Sequence, residues 1–364
     1  MEDKQKKKNS IGFKIFIIIL VGMILFFLKE ENQKKFIQFI DNTRSVDIEA
    51  KITESIPVEE DTEKILIHGE GMILWKENHI IKLDIGGSKE WEREFVFEEP
   101  AISVGEQYIY VYEKPSGIIH FLNSSGETVH RVDLKARIMN IVESYENILV
   151  HIKTKDIERI NILDMEGKTI EDALIKNKNI LTYSINKDGA TYIISSLDLK
   201  GDGMKSEEYV FKKGNQSLFN MEFKDEMILY SNFIDRNKVV IMTDKGIYMA
   251  KDGEILWERN LQLVKDIYMD KSNIHLLYGN ILETISIEGT TEEKKSFTEE
   301  YKKIIPFNGY LVVYGDEYIM GLKDGEEVFK YKSDENILEV IEGRENLILR
   351  YKDKIELMKL ENKI

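Results

Sequence analysis

Short runs of aliphatic and aromatic residues recur along the chain from about residue 46 onward, separated by Gly, Asn and Asp every eight to twelve residues. In seven places one run is followed directly by a second run that ends in a turn signal such as Asp-Gly. Runs of this composition and length predict strands, and Asp or Asn before Gly accepts the positive φ of hairpin turns. The pattern therefore predicts a succession of hairpins. The first runs of the seven pairs lie at 71–77, 108–113, 147–153, 238–244, 273–279, 310–316 and 346–352.

The hairpins form a repeat of eight units, counting a further copy at 207–215, and seven of them contain one marked turn glycine; the last unit ends in Glu-Asn-Lys at 361–363 instead. Successive glycines are 36 to 47 residues apart. A period near 40 with about four strands per unit is typical of β-propeller blades, whereas solenoid repeats are shorter or helical. The longest interval contains the polar segment 197–206, which is expected to lengthen a loop of the fourth unit. The glycines are Gly87, Gly126, Gly167, Gly214, Gly253, Gly289 and Gly325.

The number of strands predicts how the ring closes. Seven complete units run from near Lys64 to near Ser333, and residues 336–361 supply only three further strands. The segment 45–52 alternates in the manner of a half-buried strand, and pairing it with the last three would complete an eighth blade and cover an exposed sheet edge. We therefore expect an all-β, eight-bladed propeller closed by this N-terminal strand, with residues 53–63 crossing to the first blade. A seven-bladed ring is the alternative, because the fourth unit is irregular.

The N-terminal segment has a different pattern. Residues 11–28 contain one charged residue, Lys14. At about 1.5 Å per residue, a helix of this length covers roughly 27 Å, close to the about 30 Å of a bilayer core. A cleaved signal peptide is the alternative, but Leu28 is followed by Lys-Glu-Glu-Asn-Gln rather than small residues, so we expect an uncleaved signal anchor. A modest excess of lysine before the span favours a cytoplasmic N-terminus. The expected segments are a basic tail at 1–10, a span at 11–28, a helical stalk at 29–44 and a propeller at 45–364.

A spaced motif follows several of the turn glycines. An aromatic or other large residue stands four positions after the glycine, and an apolar residue often stands four positions later, as in Gly253-Glu-Ile-Leu-Trp257. Positions four apart on a strand face the same side, so both side chains can pack between blades. We expect docking between blades at Trp91, His130, Trp257 and Phe329.

This turn followed by x-x-x-Trp resembles the blade repeat of PQQ-like β-propellers, in which the outer-strand tryptophan docks on the next blade. The resemblance covers about 320 residues as a period, but tryptophan stands at the motif position only at Trp91 and Trp257. With its single N-terminal span, the chain also resembles membrane-anchored PQQ-like proteins of low-GC Gram-positive bacteria, including a domain-of-unknown-function family. The quinone-dependent dehydrogenases with this repeat use adjacent cysteines near the cofactor and acidic calcium ligands. This chain has no cysteine, so we expect no bound quinone or other cofactor.

The sequence contains only a weak signal for a metal site. The absence of cysteine excludes disulfides, thiolate zinc sites and thiol nucleophiles. The segment 198–208 partly resembles a calcium loop through Asp198 and Asp202, but Lys200 occupies a ligand position and Tyr209 stands where a bidentate acid is required. A solvated loop is the expected outcome.

The sequence also contains few candidate catalytic residues. The histidines lack metal-binding spacing, and neighbouring acids on a strand point to opposite faces, so packing and solvent exposure are their expected roles. A net charge of -15 disfavours nucleic acid as a partner. The histidines are His68, His79, His120, His130, His151 and His275.

These features predict a non-enzymatic, single-span protein of the cell membrane with an extracytoplasmic propeller. We expect the propeller to serve as an interaction platform for an envelope protein or complex, because a rigid ring presents its loops around a central funnel. The alternative is a sensor or binding protein for a small molecule or cell-wall glycan, which an acidic funnel with inward Tyr, Asn and Asp would support. An enzyme would require a convergent cluster of acids or histidines on one face.

Overall fold

In a computed structural model of the chain, residues 48–362 are described, except residues 156, 202 and 262. These residues form 32 β-strands in eight four-stranded antiparallel sheets. Seven sheets take four consecutive strands each, and the eighth combines the first strand with the last three. The fold is an all-β, eight-bladed propeller, and the seven-bladed alternative is wrong. The predicted tail, span and stalk all lie outside the described residues.

Blades 1 to 4 follow the closing strand in chain order, and the strands of each blade run from the innermost to the outermost. The strands are β1 (Ile48–Pro57), β2 (Lys64–His68), β3 (Gly71–Lys76), β4 (His79–Leu83), β5 (Lys89–Glu94), β6 (Pro100–Val104), β7 (Ile109–Glu113), β8 (Ile118–Leu122), β9 (Thr128–Asp133), β10 (Arg137–Ser144), β11 (Asn147–Lys153), β12 (Ile157–Leu163), β13 (Thr169–Lys176), β14 (Asn179–Ile185), β15 (Thr191–Gly201), β16 (Gly203–Lys212) and β17 (Gln216–Lys224).

Blades 5 to 8 continue in the same manner, with β1 as the fourth strand of blade 8. The strands are β18 (Ile228–Asp235), β19 (Lys238–Thr243), β20 (Gly246–Lys251), β21 (Glu254–Asn260), β22 (Val264–Met269), β23 (Asn273–Tyr278), β24 (Ile281–Ser286), β25 (Thr291–Ser296), β26 (Lys303–Phe307), β27 (Tyr310–Tyr314), β28 (Tyr318–Lys323), β29 (Glu326–Lys332), β30 (Glu339–Glu342), β31 (Leu347–Arg350) and β32 (Lys354–Asn362).

The position of a strand within its blade explains its composition. The second strand β19 is buried at five of six positions, because both of its faces lie against neighbouring blades. The outer strand β25 alternates exposed and half-buried residues and reads Thr-Glu-Glu-Lys-Lys-Ser. Continuous apolar runs therefore mark the inner part of each blade, and alternating charged runs mark its rim.

The hydrophobic core lies between blades. One cluster joins Ile73 and Ile80 of blade 1 to Ile102 and Ile109 of blade 2. Other clusters pair later blades in the same way, for example blade 5 with blade 6. Each blade therefore buries its apolar faces only when both of its neighbours are present.

The closing strand β1 pairs with β32, which gives blade 8 the order β1-β32-β31-β30. The Thr53 hydroxyl donates to the Leu357 carbonyl at 3.2 Å, and the Val58 amide donates to the Asp353 carbonyl at 2.9 Å. The strand continues to Pro57, beyond the predicted end at residue 52, because Ile56 is still buried, with 6% of its surface exposed. Residues 58–63, rather than 53–63, therefore cross to the first blade. Residues 45–47 of the predicted strand lie outside the described part.

No helix long and apolar enough to cross a membrane occurs within residues 48–362 as the structure describes them.

The buried side chain of Ile56 allows the closing strand to be tested. Replacement of Ile56 by alanine should lower the free energy of unfolding by about 2–4 kcal/mol, because it leaves a cavity between blades 8 and 1. Replacement of Ile255 by alanine is the matched control, because this isoleucine is 47% exposed on the outer strand of blade 5. That control should change stability by no more than about 0.5 kcal/mol. Equal losses in denaturant titrations of the two variants would contradict a closing role for β1.

Candidate functional site

A β-bulge between the third and outer strands recurs in blades 1 to 7. In each of these blades, the outer-strand residue that pairs next to the bulge occupies the equivalent position. A bulge changes the direction in which the side chain beside it points. All four predicted docking residues occupy this position. The seven residues are Trp91, His130, Glu171, Phe219, Trp257, Glu293 and Phe329.

The two tryptophans reach the turn of the following blade. The Trp91 indole N–H donates to the Ser124 carbonyl at 2.9 Å, and that of Trp257 donates to the Ile287 carbonyl at 3.1 Å. Each ring covers the turn glycine, and a Cβ added to that glycine would come within 2.8 Å and 2.9 Å of the respective ring. Gly289, the glycine beneath Trp257, has a φ of 90°. Glycine is therefore needed both for the backbone conformation and for the close approach.

Different side chains make equivalent contacts in other blades. Glu171 accepts a hydrogen bond from the Gly214 amide at 2.6 Å, and Phe219 packs against Gly253. Sequence reasoning missed Glu171 because it selected only tryptophan, histidine and phenylalanine at this position as docking residues. It missed Phe219 because this residue stands five rather than four positions after its glycine. The remaining contacts of this kind join Glu293 to Gly325 and Ile56 of the closing strand to Gly87.

His130 and Phe329 share the register, but the structure places them against their own blades. His130 packs edge-on to Tyr108 and Phe121 of blade 2, with ring centroids 5.8 Å and 5.9 Å apart. The side chain that meets the turn glycine Gly167 of blade 3 is instead Val132, two residues after His130, because it is the nearest side chain to a Cβ placed on that glycine. The structure places the Phe329 ring over Gly321 on the adjacent strand, where the missing Cβ leaves room for it.

The candidate calcium loop has no cluster of ligands in the described part of the chain. Asp198 accepts a hydrogen bond from the Lys200 amide at 2.9 Å and so stabilises its own turn. Asp202 lies outside the described residues. Within the described ranges there is no group of three or more acids and histidines suited to a metal ion.

The histidines that have hydrogen-bond partners bond to groups on neighbouring strands and turns. His68 lies 3.2 Å from the Gly105 carbonyl, and His151 lies 3.1 Å from the Glu158 carboxylate. Burial lowers the pKa of both imidazoles, and it also lowers the pKa of His120. These contacts place the histidines in packing and interstrand bonding.

Blade 4 departs from the regular pattern of the ring. Its second strand β15 has 11 residues, whereas the second strands of the other blades have four to seven. Pairing with β14 ends at Leu197 and pairing with β17 ends at Lys205, so residues 198–201 and 203–204 continue as a two-stranded ribbon. At about 3.3 Å per residue, this ribbon projects roughly 10 Å. Leu199 near its tip is 61% exposed.

A cavity of about 180 Å³ lies at the base of the ribbon, between blades 3 and 4, and four lysines line it. Lys153 bonds to the buried Glu158 at 2.5 Å, and Lys178 donates to the Tyr209 hydroxyl at 2.7 Å and pairs with Glu207. The other two lysines are exposed. We call the ribbon and this cavity together the ribbon site. The four lysines are Lys153, Lys155, Lys178 and Lys200.

A buried carboxyl connects blade 4 to blade 5 below the ribbon. Glu208 on β16 is fully buried and accepts hydrogen bonds from the hydroxyls of Ser195 and of Ser231, which lies on the first strand of blade 5. No cation pairs with it among the residues described. Burial raises the pKa of Glu208 to about 7. The two serine bonds oppose this shift but do not cancel it.

Comparison with known proteins identifies the family. The model of the Family of unknown function (DUF5711) matches residues 42–360, and the chain belongs to this family. A search of curated proteins finds no match.

Solved structures share the propeller fold. Sqt1 from Saccharomyces cerevisiae is 10% identical with a TM-score of 0.63, covering 86% of this chain and 100% of that chain. BamB from Moraxella catarrhalis is 12% identical with a TM-score of 0.59, covering 85% and 100%. Sqt1 from Chaetomium thermophilum is 9% identical with a TM-score of 0.61, covering 86% and 100%. The likeness to BamB is consistent with the PQQ-like resemblance, and at these identities it establishes the fold alone.

The glycine beneath Trp257 gives a test of interblade docking. Gly289→Ala should destabilise the protein by more than Gly309→Ala, with a difference of about 1–3 kcal/mol in denaturant titrations. Both glycines have strongly positive φ, at 90° and 81°, but a Cβ on Gly309 would meet no atom within 4 Å. The difference therefore isolates the clash with the indole. If the two variants lose the same stability, the ring contact contributes nothing.

The raised pKa of Glu208 predicts a dependence of stability on pH. Between pH 4.5 and about 7 the folded protein retains a proton that the unfolded chain has lost. The free energy of unfolding should therefore fall by up to about 3 kcal/mol as pH rises through this window and then level off. Glu208→Gln should remove this part of the fall in urea titrations at several pH values. The control Glu222→Gln, which neutralises an exposed carboxyl of the same blade, should retain it, and superimposable profiles for the two variants would contradict the assignment.

Proposed function

We propose that this DUF5711 protein is a membrane-anchored, extracytoplasmic platform that binds an envelope protein or complex, and that the ribbon site is its contact surface. β-Propellers typically act as protein-interaction scaffolds. Fold alone does not define function, so the proposal depends on a local feature. That feature is the ribbon of blade 4, the one second-strand hairpin of the described blades that extends far beyond its flanking strands.

The chemistry of the ribbon site indicates the kind of partner segment that it fits. Leu199 near the tip of the ribbon offers an exposed aliphatic anchor. The exposed Lys155 and Lys200 line the cavity at the base of the ribbon, in a chain of net charge -15. A segment with carboxylates flanking an apolar residue would complement both features. A positively charged patch on an otherwise acidic protein also attracts the acidic side of a partner and so favours the orientation in which that side faces the ribbon site.

The anchoring part of the proposal is supported by the sequence alone. Residues 11–28 have the length and apolarity of a span, and the described propeller begins at Ile48, shortly after the predicted stalk. The basic tail favours a cytoplasmic N-terminus, which would leave the propeller outside.

The competing functions receive less support. A ligand sensor would be favoured by an acidic funnel, and on β10, one of the eight innermost strands, the exposed residues Arg137, Met139, Asn140 and Val142 include no acid. An enzyme would be favoured by convergent free carboxylates. The buried Glu283, for example, is instead bonded to side chains of neighbouring strands.

The absence of cysteine allows a direct test of surface and topology together. A single cysteine at Leu199 should react with a membrane-impermeant thiol crosslinker added to intact cells and should capture a specific protein. Leu338→Cys is the matched control, because Leu338 is a 52% exposed leucine on the loop between blades 7 and 8. It should be labelled equally but should not capture that protein.

Two results would contradict the proposal in different ways. Labelling of both cysteines only after lysis, with wall access controlled, would oppose the extracytoplasmic location. Capture of the same proteins by both cysteines would oppose a specific contact at the ribbon site. In addition, Lys155→Glu and Lys200→Glu should weaken capture from Leu199→Cys if the partner segment is acidic.

A further inference from the structure

The outer strand of each blade has one edge that pairs with no other strand among the described residues. Such an edge presents backbone donors and acceptors to any extended chain, and natural proteins usually protect it with charged side chains or proline. Seven outer strands of this ring are protected in this way, because none of them contains more than three consecutive uncharged residues. These strands are β1, β5, β9, β13, β21, β25 and β29.

The outer strand of blade 4, β17, is the exception. It has nine residues, and the first six, 216–221, read Gln-Ser-Leu-Phe-Asn-Met, without a charge or a proline. Leu218, the unpaired residue of the β-bulge, is 43% exposed, and Asn220 is also exposed. The bulge recurs in blades 1 to 7, so it does not distinguish β17 from the other outer strands. Among the described blades, the edge of β17 is therefore the one that lacks protection by charge.

The charge around β17 indicates which kind of strand this edge accepts. Residues 177–224, which form blade 4 and the loop before it, contain seven lysines and six acids. Each of the other seven blades carries a net negative charge when it is counted with its preceding loop. Lys213 lies in the turn before β17, and Lys224 at its end has a side chain that is 82% exposed. A strand with acidic residues at both ends would therefore meet a lysine at each end of the uncharged run.

Apolar surface lies on one flank of this edge. Phe219 of β17 packs against Gly253, in the turn of blade 5 that leads into β21. Ile255 and Leu256 follow this turn and are 47% and 52% exposed. A strand added beside β17 continues its pleat, so alternate side chains of that strand point to the same flank as Phe219. Aliphatic side chains at those positions would cover the exposed residues of blade 5.

We propose that the free edge of β17 binds an extended segment of a partner protein, which adds a fifth strand to blade 4. Backbone hydrogen bonds hold the segment on the edge, and its alternate aliphatic side chains pack towards Ile255 and Leu256. Acidic residues at its two ends pair with Lys213 and Lys224. The edge is distinct from the cavity of the ribbon site, which adjoins the first strand of the same blade. The proposal goes beyond the ribbon site, because it requires neither Leu199 nor an extracytoplasmic location.

The test is titration of a labelled peptide with the full-length protein in detergent. The peptide is fluorescein-labelled Asp-Glu-Thr-Val-Thr-Val-Thr-Glu-Asp, which has the nine-residue length of β17. Its fluorescence anisotropy should rise to saturation with added protein but not with empty micelles. A peptide with lysine at the four acidic positions should bind about tenfold or more weakly, because it meets lysines at both ends of the edge.

A third peptide tests the backbone contact directly. N-methylation of two adjacent central residues of the acidic peptide leaves its side chains unchanged but removes a backbone donor from each edge of the strand. This peptide should show no saturable binding. Equal binding of the methylated and unmethylated peptides, or no saturable binding of the unmethylated acidic peptide, would overturn the proposal.

Charge reversal connects the binding to this edge. Lys213→Glu and Lys224→Glu should each weaken binding of the acidic peptide by about threefold or more and should strengthen binding of the lysine peptide. Lys332→Glu is the matched control, because Lys332 ends the outer strand of blade 7 as Lys224 ends that of blade 4. This control and Leu199→Ala should bind as the wild type does. Equal losses in Lys224→Glu and Lys332→Glu would overturn the assignment, because they would reflect net charge rather than this edge.

Sedimentation of the full-length protein distinguishes a partner segment from a second copy of the chain. If β17 pairs with β17 of another copy, the protein should form a dimer that Asn220→Lys dissociates, because like charges on paired strands repel each other. That result would overturn the proposal. A monomer, or a dimer that Asn220→Lys leaves intact, would support it, because the edge is then free for the segment.

Discussion

Contacts between outer-strand side chains and turn glycines hold the blades of this ring together. At seven of the eight junctions, a side chain of the preceding blade meets a glycine with positive φ in the next blade. At six of these junctions a Cβ on the glycine would come within 3.1 Å of the docking side chain, whereas at the junction of blades 3 and 4 the Gly214 amide donates to Glu171. An indole, a phenyl ring, a carboxylate and an isoleucine all make the close contact, as Trp257, Phe219, Glu293 and Ile56 show. The fold therefore depends on the conformation of the turns, which keeps the register constant while the side chains vary.

This constraint explains how much of the structure the sequence predicts. The turn glycines are local and periodic, so the all-β class, the eight blades and the N-terminal closing strand follow from spacing and strand counting. The end of the closing strand does not follow, because Glu54 and Ser55 interrupt the apolar alternation before Ile56 is buried again. His130 shows a related limit. This residue stands at the spacing of a docking residue, but its imidazole packs edge-on against Tyr108 and Phe121 of its own blade rather than against the next blade.

The candidate sites were harder to predict because they depend on distant segments. The lysines at the base of the ribbon come from two blades, and only the long interval around residues 197–206 indicated an irregularity there. Such sites arise from the mismatch between otherwise equivalent blades, so periodic sequence analysis does not detect them.

The composition of blade 8 also determines when the ring can close during synthesis, because this blade combines the first described strand with the last three. β1 leaves the ribosome before the other described strands, but its partner β32 is made about 300 residues later. At about 5–20 residues per second, β1 remains an unpaired edge for roughly 15 to 60 seconds. During that time the exposed edge is open to wrong pairing with other strands. Blades 1 to 7 can assemble in sequence, but the ring gains its last junctions only once β32 has left the ribosome, so its final stability is acquired late.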